Sequence, residues 1–247
     1  MAINVNIRDF QYSLEHIMLE GATGKATLTG WCDKARNVHG ALRMLLDESK
    51  KELEEARGKY NQKTLAEVEG RLKAEDTVAT DIARKKLSDA LEEVLEEKTN
   101  AFLRSMAAPS QDAVNLLTVL NMRKSVSSSE IAAAVPALSK SLQGLALLKE
   151  IADRNNVTFP RLTTDFFSVA EETRQACQVI INGIGKDATD MSYMEMAFFG
   201  EHGSNGQLRP FIDAVDRPSF LAIDTAEIKP GKQTPDADNG GGTDAIA

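Results

Sequence analysis

Residues Thr64 to Phe102 read TLAEVEGRLKAEDTVATDIARKKLSDALEEVLEEKTNAF, with apolar side chains three and four residues apart and no proline. Thr64 and Glu67 have the spacing of a capping box, in which a hydroxyl and a carboxylate satisfy free backbone N–H groups at a helix start. The apolar seam comprises Leu65, Val68, Leu72, Ala79 and Ile82, then moves by one residue to Leu87, Leu91, Val94 and Ala101. The pattern predicts one helix over 64–106, which at 1.5 Å per residue is roughly 64 Å long.

A second seam precedes this stretch. Its apolar and small side chains recur at heptad spacing: His39, Leu42, Leu46, Ser49, Leu53, Ala56 and Tyr60. Acid precedes base at four-residue spacing in pairs such as Asp47 with Lys51, and each such pair stabilises an exposed helix by about 0.2–0.5 kcal/mol. With a break between Gly58 and Asn61, the two seams predict a coiled-coil helical hairpin arm over 32–106.

Such an arm leaves apolar side chains on its flanks. Leu45, Leu95 and Phe102 have no obvious partner within a hairpin of two helices, and Leu91 and Val94 lie on its seam. Large exposed apolar patches are uncommon in stable monomers. We therefore predict partner binding by Leu91, Val94 and Phe102, in a homo-oligomer or with another protein.

Composition favours an all-α chain built by helix packing. Aromatic residues make up 5% of the 247 residues, and large aromatics supply much of the buried area of a thick globular core. The net charge of −8 disfavours nucleic acid as a partner, because non-specific binding depends on Lys and Arg neutralising phosphates. The charge is compatible with a basic protein partner.

The first 31 residues predict a short amphipathic helix and a loop. The helix has the apolar stripe Ile7, Phe10, Leu14 and Ile17. The N-terminus lacks the basic start and apolar run of a signal peptide, and no stretch reaches the ~18 apolar residues of a membrane span. Two cysteines, Cys32 and Cys177, form no disulfide framework. We expect a cytoplasmic protein that makes no contact with membranes.

Residues 107–157 predict a small unit of three helices. Ser127 and Glu130 form a second capping box, and Pro136 is expected to interrupt or kink the helix that follows. The next helix has the stripe Leu138, Leu142, Leu145, Leu148 and Ile151. The run SSSEIAAAV at 127–135 resembles the second helix of helix-turn-helix and winged-helix domains. That resemblance implies an alternative function, a DNA-binding regulator with a coiled-coil dimerisation arm.

Residues 158–228 predict a helical region that includes a segment rich in Met and Phe. We predict partner binding by four of its side chains: Met191, Met194, Phe198 and Phe199. A short helix cannot place all of the segment's large apolar groups on one stripe. Residues 229–247 consist mainly of Gly, Asp, Pro, Thr and Ala, which predicts a disordered tail that folding does not require.

The residues that could perform chemistry are scattered. Gly21 to Thr27 has Leu19 where a phosphate-binding loop needs its first glycine, so an interhelix turn is the simpler interpretation. No histidine has a second ligand at metal-binding spacing. Adjacent acids such as Glu92 and Glu93 are typical of a solvated helix face. We therefore predict no catalytic, cofactor-binding or metal-binding residues and a protein that is not an enzyme.

Two stretches, Leu116 to Val126 and Leu147 to Ala152, are similar in style to helical proteins of prophage structural modules. Together with the acidic, aromatic-poor composition, the charged arm, the small helical units and the predicted disordered tail, they give a chain that resembles helical coiled-coil structural and morphogenesis proteins of tailed bacteriophages, of the scaffolding or virion-associated type. The acidic, glycine-rich end differs from the basic helical segment with which scaffolding proteins often end. The resemblance implies a structural or assembly protein that associates through helices, with a capsid or portal as partner and the virion as an additional location.

Overall fold

The computed structural model describes residues 7–19, 26–184, 206–218 and 223–231. It confirms the all-α class, with a long helical hairpin and shorter helices after it. The chain divides into two compact units, here called unit 1 (Met1–Leu103 with Asp165–Pro218) and unit 2 (Arg104–Thr164 with Ser219–Ala247). Each unit is therefore built from two separate parts of the sequence.

Unit 1 contains the hairpin, made by α2 (Leu28–Lys59) and α3 (Gln62–Ser105). Only Tyr60 and Asn61 separate the two helices, which is possible because the Asn61 side chain accepts a hydrogen bond from Thr64 N at 3.0 Å. This contact caps α3 at Asn61, so the helix begins two residues before the predicted capping box at Thr64.

Polar contacts between α2 and α3 show that they run antiparallel. At one end the indole nitrogen of Trp31 donates to the Leu87 carbonyl at 2.9 Å. Further along, the Ser49 hydroxyl donates to Asp76 at 2.6 Å, and Arg71 pairs with Glu52. Residues further along α2 thus contact residues nearer to the start of α3, as in an antiparallel pair. Ser49, a polar residue of the predicted seam, thus forms a specific link between the two helices.

Two shorter helices of unit 1 lie beside the hairpin. The helix α1 (Ile7–Leu19) packs on α2 and buries Phe10 and Leu14. The helix α7 (Phe166–Gly183) lies along α3, where Arg174 binds the Glu92 carboxylate with two nitrogens at 2.7 and 2.9 Å. The hydrogen bond from Arg174 holds the pKa of Glu92 below its ordinary value. The long helices therefore have apolar neighbours within the chain itself.

The last helix of unit 1 supplies a cap to α2. This helix, α8 (Arg209–Asp216), follows a 3-10 turn at Gly206–Leu208. The carboxylate of Asp216 accepts hydrogen bonds from Leu28 N at 2.6 Å and from Thr29 N at 2.9 Å. An anion at a helix start satisfies free N–H groups and opposes the positive end of the helix dipole.

Unit 2 contains α4 (Gln111–Met122), α5 (Ser128–Leu138) and α6 (Leu142–Arg154). These three helices pack around one core, and α5 continues two residues beyond Pro136, so that Leu138, predicted on the next helix, is the last residue of α5. Their shared core includes the buried side chains Leu117, Leu120, Ile131, Val135, Leu138, Leu145, Leu148 and Ile151. A serine caps each helix: Ser110, Ser127 and Ser141.

The capping box at Ser127 and Glu130 is confirmed, and it depends on pH. The backbone N–H of Ser127, the Ser127 hydroxyl and Arg123 lower the pKa of Glu130 to about 2. Because its pKa is lowered in the folded state, the Glu130 carboxylate stabilises the fold fully at pH values above its ordinary pKa of 4.5. This contribution is lost as the pH falls towards 2.

Ser127→Ala is expected to raise the pKa of Glu130 and to destabilise unit 2 by about 1 kcal/mol, because it removes the hydroxyl from both hydrogen bonds. An NMR titration of the Glu130 carboxyl carbon measures the first effect. Ser129→Ala, at an exposed position in the same helix, is the control and should leave the titration unchanged. An unchanged midpoint in Ser127→Ala would contradict this role of the cap.

A two-stranded antiparallel sheet completes unit 2 and was not predicted. β1 (Val157–Thr158) pairs with β2 (Lys229–Pro230), which follows a 3-10 turn at Thr225–Glu227. Gly231 N donates to the Asn156 carbonyl at 2.6 Å, and a Cβ at Gly231 would lie equally close to that oxygen. The disordered tail predicted over 229–247 is therefore wrong at its start, because residues up to Gly231 have structure. Residues 232–247 lie outside the described residues.

Truncation after Glu227 is expected to destabilise unit 2 by about 2–4 kcal/mol, because it removes β2 and the buried Ile228 from the core. Truncation after Gly231 keeps both and is the matched control. Amide hydrogen exchange of α5, which contacts β2, measures the difference. Equal protection in the two truncated chains would show that folding does not require residues 228–231.

Candidate protein-docking groove

The structure places three of the predicted partner-binding side chains in the core of unit 1. Leu91, Val94 and Phe102 are at most 5% exposed, and Leu45 and Leu95 are also buried. The interpretation that Leu45, Leu95 and Phe102 lack partners within one chain is therefore corrected. Phe102 contacts the Phe166 ring of α7, with ring centroids 6.1 Å apart. Side chains buried to this extent present almost no surface to a second molecule.

The other four predicted residues, Met191, Met194, Phe198 and Phe199, lie outside the described residues. The described part of the chain has a different apolar surface, in unit 2. There α4 and α6 enclose an open groove with a volume of about 680 Å³. Its lining residues are Val114, Leu117, Thr118, Asn121, Met122, Leu147, Glu150, Ile151, Asp153 and Arg154. We call this surface the α4–α6 groove.

Contacts at both ends show that α4 and α6 run side by side in the same direction. Near their starts, the Ser141 hydroxyl donates to the Ala107 carbonyl at 2.9 Å. Near their ends, Arg154 donates to the Asn121 side chain at 2.5 Å. Between these contacts the helices share Leu117, Leu148 and Ile151 in the core. The groove is therefore a valley between two helices that are held together at each end.

The walls of the groove have apolar side chains that the fold leaves in solvent. Val114 is 40% exposed, Leu147 is 47% exposed and Met122 is 80% exposed. They rise above a floor that includes Leu117, which is buried. Scattered exposed apolar residues are normal, but apolar groups that line one concave surface are typical of binding sites.

Two charged groups that line the groove, Glu150 and Arg154, form no ion pair within the described residues. Asp153 accepts from Lys149 at 2.5 Å, and Arg154 is engaged with Asn121. The carboxylate of Glu150 is exposed and forms no ion pair within the described residues. The C-terminal ends of α4 and α6 meet at this side, and each has a partial negative charge from its helix dipole. Arg154 donates from Nε to the Glu150 carbonyl at 3.4 Å, so a cation of the chain already lies at the end of α6.

The shape and lining of the groove suit it to binding. The cysteines of the chain, in contrast, are unsuited to nucleophilic chemistry. Burial raises the pKa of the Cys32 thiol to about 12 and raises that of Cys177 as well. A thiol attacks or binds metal as the thiolate, which is scarce at neutral pH when the pKa is this high. Among the described residues no group of three His, Cys, Asp or Glu side chains could hold a metal ion.

Sequence reasoning missed the groove, although one signal for it was available. Of the predicted stripe, Leu145, Leu148 and Ile151 are buried in α6, whereas Leu142 is half-buried and Leu138 belongs to α5. Leu147 lies off that stripe, so an α6 packed through the stripe must leave Leu147 outside the core. Which helix lies beside Leu147 cannot be read from local spacing.

No helix within the described ranges has the length and the apolar content needed to cross a membrane. With the fold and the groove described, comparison with known proteins gives a uniform result: no family model, no curated protein and no solved structure matches this chain.

Proposed function

We propose that this chain is a structural or assembly protein that performs no catalysis and acts through helix-mediated association with another protein. The observation that carries this function is the α4–α6 groove. Unit 2 has a closed core, and its capped helices already satisfy their backbone groups, yet Val114, Met122 and Leu147 stay exposed along one valley. Covering these side chains would remove apolar surface from water at about 25 cal/mol per Å².

A DNA-binding regulator is the second candidate, and the helix geometry favours it in one respect. Three residues, 139–141, connect α5 to α6, which is the length of turn found in helix-turn-helix motifs. The charges oppose this function. The outer face of α6 includes Glu150 and Asp153, and its Lys149 is already paired with Asp153. Acidic groups at these positions would repel DNA phosphates.

The location of the protein and the identity of its partner in this proposal follow from the sequence resemblance alone. A place in a tailed-phage particle, against a capsid or portal protein, is part of the proposal and rests on no described contact. Co-purification of the full chain with particles from its natural source tests that setting. Its failure would remove the virion location and leave the docking function intact.

A photo-cross-linking residue in place of Leu147 tests the docking function directly. In cells of the natural source, we expect light to link this position covalently to a protein. The control is the same residue in place of Val119, which is exposed on α4 but does not line the groove. Equal cross-linking at both positions, no protein adduct at 147, or a nucleic-acid adduct would overturn the proposal.

A further inference from the structure

We draw no further inference here: the strongest candidate, the apolar surface of the α4–α6 groove in unit 2, belongs to the site already described, and nothing among the described residues shows what covers it.

Discussion

Leu91→Asp is expected to unfold unit 1, with a loss of more than about 4 kcal/mol in the free energy of unfolding. Leu91 is 1% exposed in α3, so the substitution removes packed methyl groups and buries a carboxylate with no partner. A urea titration followed by tryptophan fluorescence measures the effect. Trp31 is the only tryptophan and donates to Leu87, one turn before Leu91, so its emission reports on this unit.

Val78→Asp is the matched control for this prediction. Val78 lies on the same helix with about half of its side chain in solvent, and the substitution should change stability by less than about 1 kcal/mol. One result would reverse our interpretation of Leu91. A folded Leu91→Asp chain that has lost association with a partner would show that Leu91 belongs to an interface, as the sequence pattern predicts.

Leu148→Asp is expected to unfold unit 2, with a loss of similar size. Leu148 is fully buried in the core formed by α4, α5 and α6. Leu147→Asp is the matched control, because it is the same substitution at the adjacent residue, whose side chain is about half exposed. Hydrogen exchange across 111–154 should show loss of protection in the first variant and native protection in the second.

Unit 1 should remain folded in Leu148→Asp. Residues 104–164 would then become an unfolded loop between the two parts of unit 1, and closing a longer loop costs only about 0.6 kcal/mol per doubling of its length. Trp31 fluorescence should therefore show a cooperative urea transition at a slightly lower midpoint. Loss of that transition would show that the two units fold as one cooperative system.

Much of the fold could be predicted from local pattern. Apolar spacing located α1 and both arms of the hairpin to within a few residues. The capping box at Ser127 and Glu130 was located because its two contacts lie within one helical turn. The sheet was missed because β1 and β2 have two residues each, which is too short for apolar and polar positions to alternate.

The candidate site was predicted less well, for a physical reason. The sequence identified Leu91, Val94 and Phe102 as apolar groups in need of a partner, and it predicted that a second molecule would cover them. The chain supplies cover itself: Phe102 packs against Phe166 on α7. Apolar packing is non-directional, so a pattern shows that a side chain must be buried without showing what buries it.

By itself, the sequence determined the helical class, the long hairpin and the stripe of α6, because spacing and caps act over one or two turns. Only the tertiary structure decided which helices are neighbours. It placed Asp216 at the start of α2, although 187 residues separate it from Thr29. It also placed Leu147 of α6 and Val114 of α4 along the same groove. Such pairings depend on the combined energy of many small contacts between distant parts of the chain. A local sequence pattern does not include those contacts and therefore does not predict the pairings.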